Sequence, residues 1–225
     1  MVDVMLRRAR RKERVAREQM ASAARRYADM GWPVCQGAHP PRGLPGARES
    51  GRACSCDRIG CPAPGAHPVS PTWQMQASAD PAAVGRLWSA TPAANVILVT
   101  GRVFDVLDIP VTVGLAALDL MERAGTQPGP VAASADDRAL FFVATRGAPE
   151  MQDEWWSCHL DCVPDDMTQT AGLRWHCRDS YVLAPPSRHG AGLVAHWIRE
   201  PSGRPLPDAV RMLEYLADAS GETPR

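Results

Sequence analysis

From Gln36 to Pro71 the chain runs through a stretch dense in proline, glycine and cysteine that has neither helical nor alternating apolar periodicity. A compact domain does not carry so long an irregular segment without something internal to order it. The segment supplies its own candidate staple. Cys54-x-Cys56-x4-Cys61-x5-His67 places three thiols and an imidazole in a loop able to fold back on itself, a ligand set that suits tetrahedral zinc. Four protein ligands make such a site structural, and metal binding would order a loop with too few apolar residues to order itself. Cys35 and His39 are near enough in sequence to compete as ligands, and the plainer alternative is a set of free cysteines, since CxxC spacing is absent.

Two hundred and twenty-five residues can bury a core, and they point to one domain with a small inserted module and a terminal helix. Lys+Arg and Asp+Glu are both 25, so no global field draws the chain to nucleic acid or membrane and local asymmetry must carry any such role. Lys12 is the only lysine, a bias that a GC-rich coding sequence explains more economically than phosphate recognition does. No apolar run approaches the roughly 18 to 20 residues that span a bilayer, and the charged N-terminus lacks a signal-peptide core. A cytoplasmic protein without a membrane partner is expected, in which seven cysteines are metal ligands or buried small hydrophobes rather than disulfides.

Residues 3 to 30 lack Gly and Pro and carry Arg7, Arg8, Arg10, Arg11, Lys12, Arg14 and Arg17, which predicts a basic helix ending at Gly31. Trp32 to Cys35 reads as a short strand. Asp80-Pro81 reads as a cap and first helical residue, with Val84, Leu87 and Trp88 on one face. Asn95 to Thr100 and Val103 to Leu107 are apolar runs split by Gly101-Arg102, most simply a hairpin. Val113 to Ala124 follows as a helix packing through Leu115, Leu118, Leu120 and Met121. Val131 to Ser134 and Ala139 to Ala144 pair around a polar turn; Leu173 to Cys177, Tyr181 to Ala184 and Leu193 to Ile198 are further strands, and Pro207 to Ala219 is a closing helix. The fold class is α/β (α+β), a mixed, mostly antiparallel sheet flanked by helices with a zinc-stapled loop. The expected divisions are a basic helix over 1–30, a domain over 31–200 with the zinc loop at 35–71, and a C-terminal helix and tail over 201–225.

Phe104-Asp105-Val106-Leu107-Asp108-Ile109-Pro110 reads as a strand delivering an acidic metal-binding pair whose second acid is missing. Two-metal phosphoryl transfer holds its ions about 3.5 to 4 Å apart, and alternate residues on one strand face suit the ligands. Asp108 and Pro110 are those alternate residues, and proline offers no side-chain oxygen. Asp105 lies three residues from Asp108 and so points to the opposite face. Cys158-His159-x2-Cys162 with His176-Cys177 forms a second potential metal group; the blander account is thiols packed beside Trp155, Trp156 and Trp175.

The order of these landmarks resembles the N-terminal primase-polymerase domain of the bifunctional DNA primase/polymerase family in its zinc-loop form, over about residues 21 to 200. The resemblance rests on Ala23-Ala24-x2-Tyr27-Ala28-x2-Gly31-Trp32-Pro33-Val34, the CxC-x4-C-x2-PGxHP loop at 54 to 68, Ala94-Asn95-Val96-x3-Thr100-Gly101, and Tyr181-Val182-Leu183-Ala184-Pro185-Pro186-Ser187-Arg188-His189. It implies a catalytic strand with two aspartates one residue apart, here Asp108 and Pro110. The family's phosphate-contacting histidine would fall near Ala139, a third aspartate at Arg174, and the loop lysine at Ala66. Asp108 is kept, and the family side chains at Pro110, Ala139, Arg174 and Ala66 are replaced.

With two of three metal carboxylates lost, most of the charge stabilisation needed for phosphoryl transfer is removed, and no nucleotide polymerisation is expected. The leading reading is a catalytically degenerate scaffold, with Asp108 vestigial, that binds DNA or nucleotide in replication or its regulation. Arg7, Arg8, Arg10 and Arg11 of the basic helix, Arg174, and by resemblance Ser187, Arg188 and His189 would make the contacts. One alternative is a protein-interaction or regulatory module with structural zinc. Another is an active primase/polymerase with relocated ligands, which alone would need Mg or Mn.

Overall fold

The computed structural model describes residues 2–40, 54–56, 58, 60–134, 136–145, 172–189 and 193–222. These fall into two compact units, one of residues 1–97 with 186–194 and the other of 98–185 with 195–225.

The first unit opens with helix α1 (Val2–Asp29), followed by strand β1 (Val34–Gly37), the short helix α2 (Trp73–Gln76), helix α3 (Pro81–Ala90) and the start of strand β2 (Asn95–Val99). Along α1 the buried residues are Ala16, Met20, Ala23, Ala24, Tyr27 and Ala28, the three- and four-residue spacing of one packed face. Small residues let that face approach α3 closely, and α3 is its main helical neighbour. Arg8, Arg10, Arg11 and Lys12, in the N-terminal half, are exposed. Gly31, at φ +76°, ends the helix as expected, and the Trp32 N–H reaches back to the Tyr27 carbonyl at 3.0 Å. The strand expected from Trp32 begins at Val34, because Trp32 is taken up by this helix stop and stacks on Tyr27. Asp80 caps α3 by accepting from the Ala82 and Ala83 N–H groups at 2.9 and 3.2 Å, with Pro81 at the first helical position. Val84 and Trp88 are buried on that helix, as expected.

In the second unit, strand β3 (Phe104–Pro110) runs straight into helix α4 (Val111–Arg123), and strands β4 (Val131–Ala133) and β5 (Arg138–Ala144) form the expected hairpin. Strands β6 (Arg174–His176), β7 (Tyr181–Leu183) and β8 (His196–Arg199) and helix α5 (Ala209–Glu222) follow. A five-stranded sheet in the order β6-β3-β5-β4-β8 has four antiparallel pairings, so the mostly antiparallel α/β class holds. Leu107, Ile109, Ala139, Phe141 and Trp175 face α4 and α5, whose Val113, Leu118, Met121, Met212 and Leu216 complete the core.

Two expectations are corrected. Asn95–Val99 and Phe104–Pro110 are not a hairpin: β2 is flanked by β1 and β7, whereas β3 is flanked by β6 and β5. The Gly101-Arg102 break turns the chain between two sheets rather than within one. Leu115 does not pack: it is 47% exposed on the outer face of α4, while Leu118 and Met121 are buried.

Candidate functional site

Cys54, Cys56, Cys61 and His67 converge as the sequence predicts, with one ligand atom from each lying within 4.8 Å of all the others. The Cys54 and Cys61 sulfurs are each 3.4 Å from His67 Nε2. Zn–S bonds of about 2.3 Å and a Zn–N bond of about 2.0 Å at tetrahedral angles require a sulfur–nitrogen separation of about 3.5 Å, so the donors fit a zinc-sized ion. His67 Nδ1 lies 2.8 Å from the Pro68 carbonyl, which can only accept; Nδ1 therefore carries the proton and Nε2 is left as the ligand. The Gly65 N–H donates to Cys54 Sγ at 3.3 Å, the backbone support a thiolate needs. The Cys56 thiol is lowered to about 7, first by hydrogen bonding from the Arg58 backbone, while partial burial pushes Cys61 up. Cys35 and His39 are outside the cluster: Cys35 is buried elsewhere and His39 Nδ1 turns to the Pro40 carbonyl.

In the same unit Ser187, Arg188 and His189 follow the Pro185-Pro186 turn. Ser187 is fully buried, and its hydroxyl donates to the Val96 carbonyl and accepts from the Val96 N–H. It anchors backbone through both of these bonds. Arg188 and His189 are half-buried.

Asp108, in the second unit, has cationic and imidazole side chains around its carboxylate. Arg138 Nε donates to Oδ1 at 2.6 Å, His176 Nε2 lies 3.2 Å from Oδ2, and Arg174 Nη1 stands 3.9 Å from Oδ2. Arg138 also donates through Nη2 to the Asp108 carbonyl at 3.0 Å and to the Gly172 carbonyl. Since the carboxylate only accepts, His176 holds its proton on Nε2, and Nδ1 faces the Ser180 hydroxyl at 3.0 Å. The Asp108 side chain is 7% exposed and that of Arg138 14%, so this is a largely desolvated pair; Arg174, 61% exposed, leaves the cluster net positive toward solvent. A divalent cation at Asp108 would have to share the carboxylate with a guanidinium already hydrogen-bonded to it.

Strand alternation explains this arrangement. Asp108 stands opposite Arg174 on β6 and Pro110 opposite Arg138 on β5, while Val106 opposes His176. Ala139 points the other way, into the core against Gly114, so the β5 side chain beside Asp108 is Arg138 rather than residue 139. Asp105 is buried on the face away from Asp108, as expected. Arg138 and the His176 contact were missed by sequence reasoning; the alternation of β5 would have exposed Arg138 once its pairing with β3 was known. His176 had been grouped with Cys158, His159, Cys162 and Cys177, of which Cys158, His159 and Cys162 lie outside the described residues.

Comparison with curated proteins gives no match. No helix among the described residues is long and apolar enough to cross a membrane. The bifunctional DNA primase/polymerase N-terminal domain matches residues 24–211, which takes in the Cys3His loop, the Asp108 strand and the Ser187 turn. With most of its length so matched, the chain belongs to the Prim-Pol family of DNA primase/polymerase-like nucleotidyltransferases.

Proposed function

We propose that this chain is a Prim-Pol domain that does not transfer nucleotides and keeps the scaffold to bind DNA or nucleotide in the cytoplasm, in replication or its regulation. The observation that carries this reading is the Asp108 carboxylate held by Arg138 and His176, with Arg174 alongside, where a polymerase would hold metal. Pro110 adds no ligand, so even a displaced guanidinium would leave one carboxylate for two ions. Guanidinium and imidazole groups at that place favour an anion.

The exposed Arg8, Arg10 and Arg11 of α1, joined by Arg7, give the same preference on a helix surface, as does Arg174 beside Asp108. Zinc in the Cys54-Cys56-Cys61-His67 knuckle is structural in this reading, since the four ligands leave no open position.

Two assays on zinc-loaded protein test the reading. Binding of fluorescent single- and double-stranded DNA across a salt series should weaken steeply with salt, by about 0.9 log units per tenfold salt for each phosphate neutralised on duplex. Primer extension with Mg or Mn should give no product. Template-dependent incorporation abolished by Asp108→Ala would refute the inactive reading, and no DNA binding at low salt would leave a zinc-stabilised protein-interaction module.

A further inference from the structure

Asn95 joins the metal knuckle to the arginine loop. Its side chain is 1% exposed and makes three hydrogen bonds: Nδ2 donates to the Gly65 carbonyl at 2.8 Å and to the Arg188 carbonyl at 2.7 Å, and Oδ1 accepts the Arg188 N–H at 3.0 Å. Gly65 is the residue whose own N–H supports Cys54 Sγ. A continuous hydrogen-bonded path therefore runs from a thiolate ligand through Gly65 and Asn95 to both backbone groups of Arg188.

Gly65 shows how tightly this path is packed. It sits at φ +81°, and a Cβ there would fall 2.8 Å from the Arg188 carbonyl oxygen and 2.7 Å from Pro40 Cδ. The knuckle and the loop touch through backbone, so one cannot shift without the other. Beyond Arg188, the loop is held by Ser187 on Val96, by the Arg188–Val194 bridge and by the His189 N–H on the Leu193 carbonyl. Only the Asn95 contacts tie it to the metal side chains among these.

We infer that metal occupancy of the Cys54-Cys56-Cys61-His67 knuckle sets the order of the Arg188–His189 loop, with Asn95 as the positioning residue that couples the two. Metal pins Cys54, Cys54 holds the Gly65 N–H, and the carbonyl of the same residue orients the Asn95 amide that clamps Arg188. The coupling is reciprocal: whatever loosens Asn95 must weaken metal binding by the same factor that metal loss loosens the loop. It does not depend on what the domain binds.

The test is hydrogen exchange and zinc affinity measured on the full chain. Stripping zinc with a chelator should accelerate exchange of the Arg188 amide at least about tenfold while Val106 and Phe141 of the second unit stay protected. Asn95→Asp keeps the acceptor for the Arg188 N–H but turns an oxygen toward two carbonyls. Zinc-loaded Asn95→Asp should show the same faster Arg188 exchange and about tenfold weaker zinc affinity, the size typical of losing a group that supports a metal ligand. Val84→Ala, a buried change in α3, destabilises the same unit and should leave zinc affinity unchanged, which separates coupling from general loosening.

Unchanged Arg188 protection after the Gly65 amide has been released would sink the inference. So would wild-type zinc affinity in Asn95→Asp, which decides the matter if the stripped protein unfolds altogether. Failure to bind zinc at micromolar concentration would overturn it as well.

Discussion

The Asp108 carboxylate is nearly excluded from solvent with the Arg138 guanidinium 2.6 Å away, so removing one partner is worse than removing both. Arg138→Met leaves the carboxylate to His176 and the distant Arg174, and urea unfolding should show a loss of about 3 kcal/mol, the low end for breaking a buried pair because His176 remains. Asp108→Asn with Arg138→Met should cost clearly less than the sum of the single changes. The same geometry predicts that Pro110→Asp will not restore a metal site, because both Asp108 oxygens stay engaged. Manganese binding followed by electron paramagnetic resonance should match wild type; a new tight site would show that the Arg138 clamp yields to a cation. How much of this was legible follows from the physics. Asp108, Pro110 and the four knuckle ligands could be read because each lies within a short local motif. Arg138 could not, because its partner stands thirty residues away and only the β3–β5 register brings them together. Ala139, near which the family's histidine was expected, faces the core, whereas its neighbour Arg138 stands beside Asp108, because adjacent strand residues point to opposite faces.

Elements were legible where one segment decides its own structure. The Asp80-Pro81 cap, the Gly31 stop and the β4–β5 hairpin are local, and each forms as expected. Pairing partners are not local. Nothing in Asn95 to Leu107 distinguishes a hairpin from two strands entering different sheets, since both bury apolar runs. Leu115 likewise falls on an apolar helix, but the choice of buried face belongs to the sheet it meets. Helix α1 joins a packed half to an exposed basic half, and this division makes its own prediction. Changing Arg8, Arg10 and Arg11 to Glu alters solvated side chains, so thermal stability should shift by no more than about 0.5 kcal/mol per site. DNA affinity at low salt should fall steeply, with a shallower salt dependence for whatever binding remains. Unaltered affinity in the triple variant would move the nucleic-acid surface away from α1.

Across the whole molecule the formal charge is zero, so binding of any anion depends on local clusters and metal binding depends on local proton release. The knuckle makes the second dependence measurable. Zinc takes thiolates, hence protons compete with it and affinity must fall as pH falls. Cys56, lowered to about 7, is already ionised above neutral pH, whereas Cys61, raised by partial burial, keeps its proton until the metal displaces it. The plot of log affinity against pH should therefore steepen by about one unit as pH drops through 7, where Cys56 begins to hold a proton the metal must expel. The metal-free fold responds with the same sign. A thiol with a depressed folded value stabilises the native state above its unfolded value, and that contribution is lost as pH falls through about 7. Zinc titrations with a competing chelator between pH 6 and 8.5 check the slope, and Cys56→Ser should remove the steepening while lowering affinity throughout. Affinity and slope left unchanged by Cys56→Ser would mean that Cys56 is not a ligand, leaving Cys54, Cys61 and His67 to bind alone.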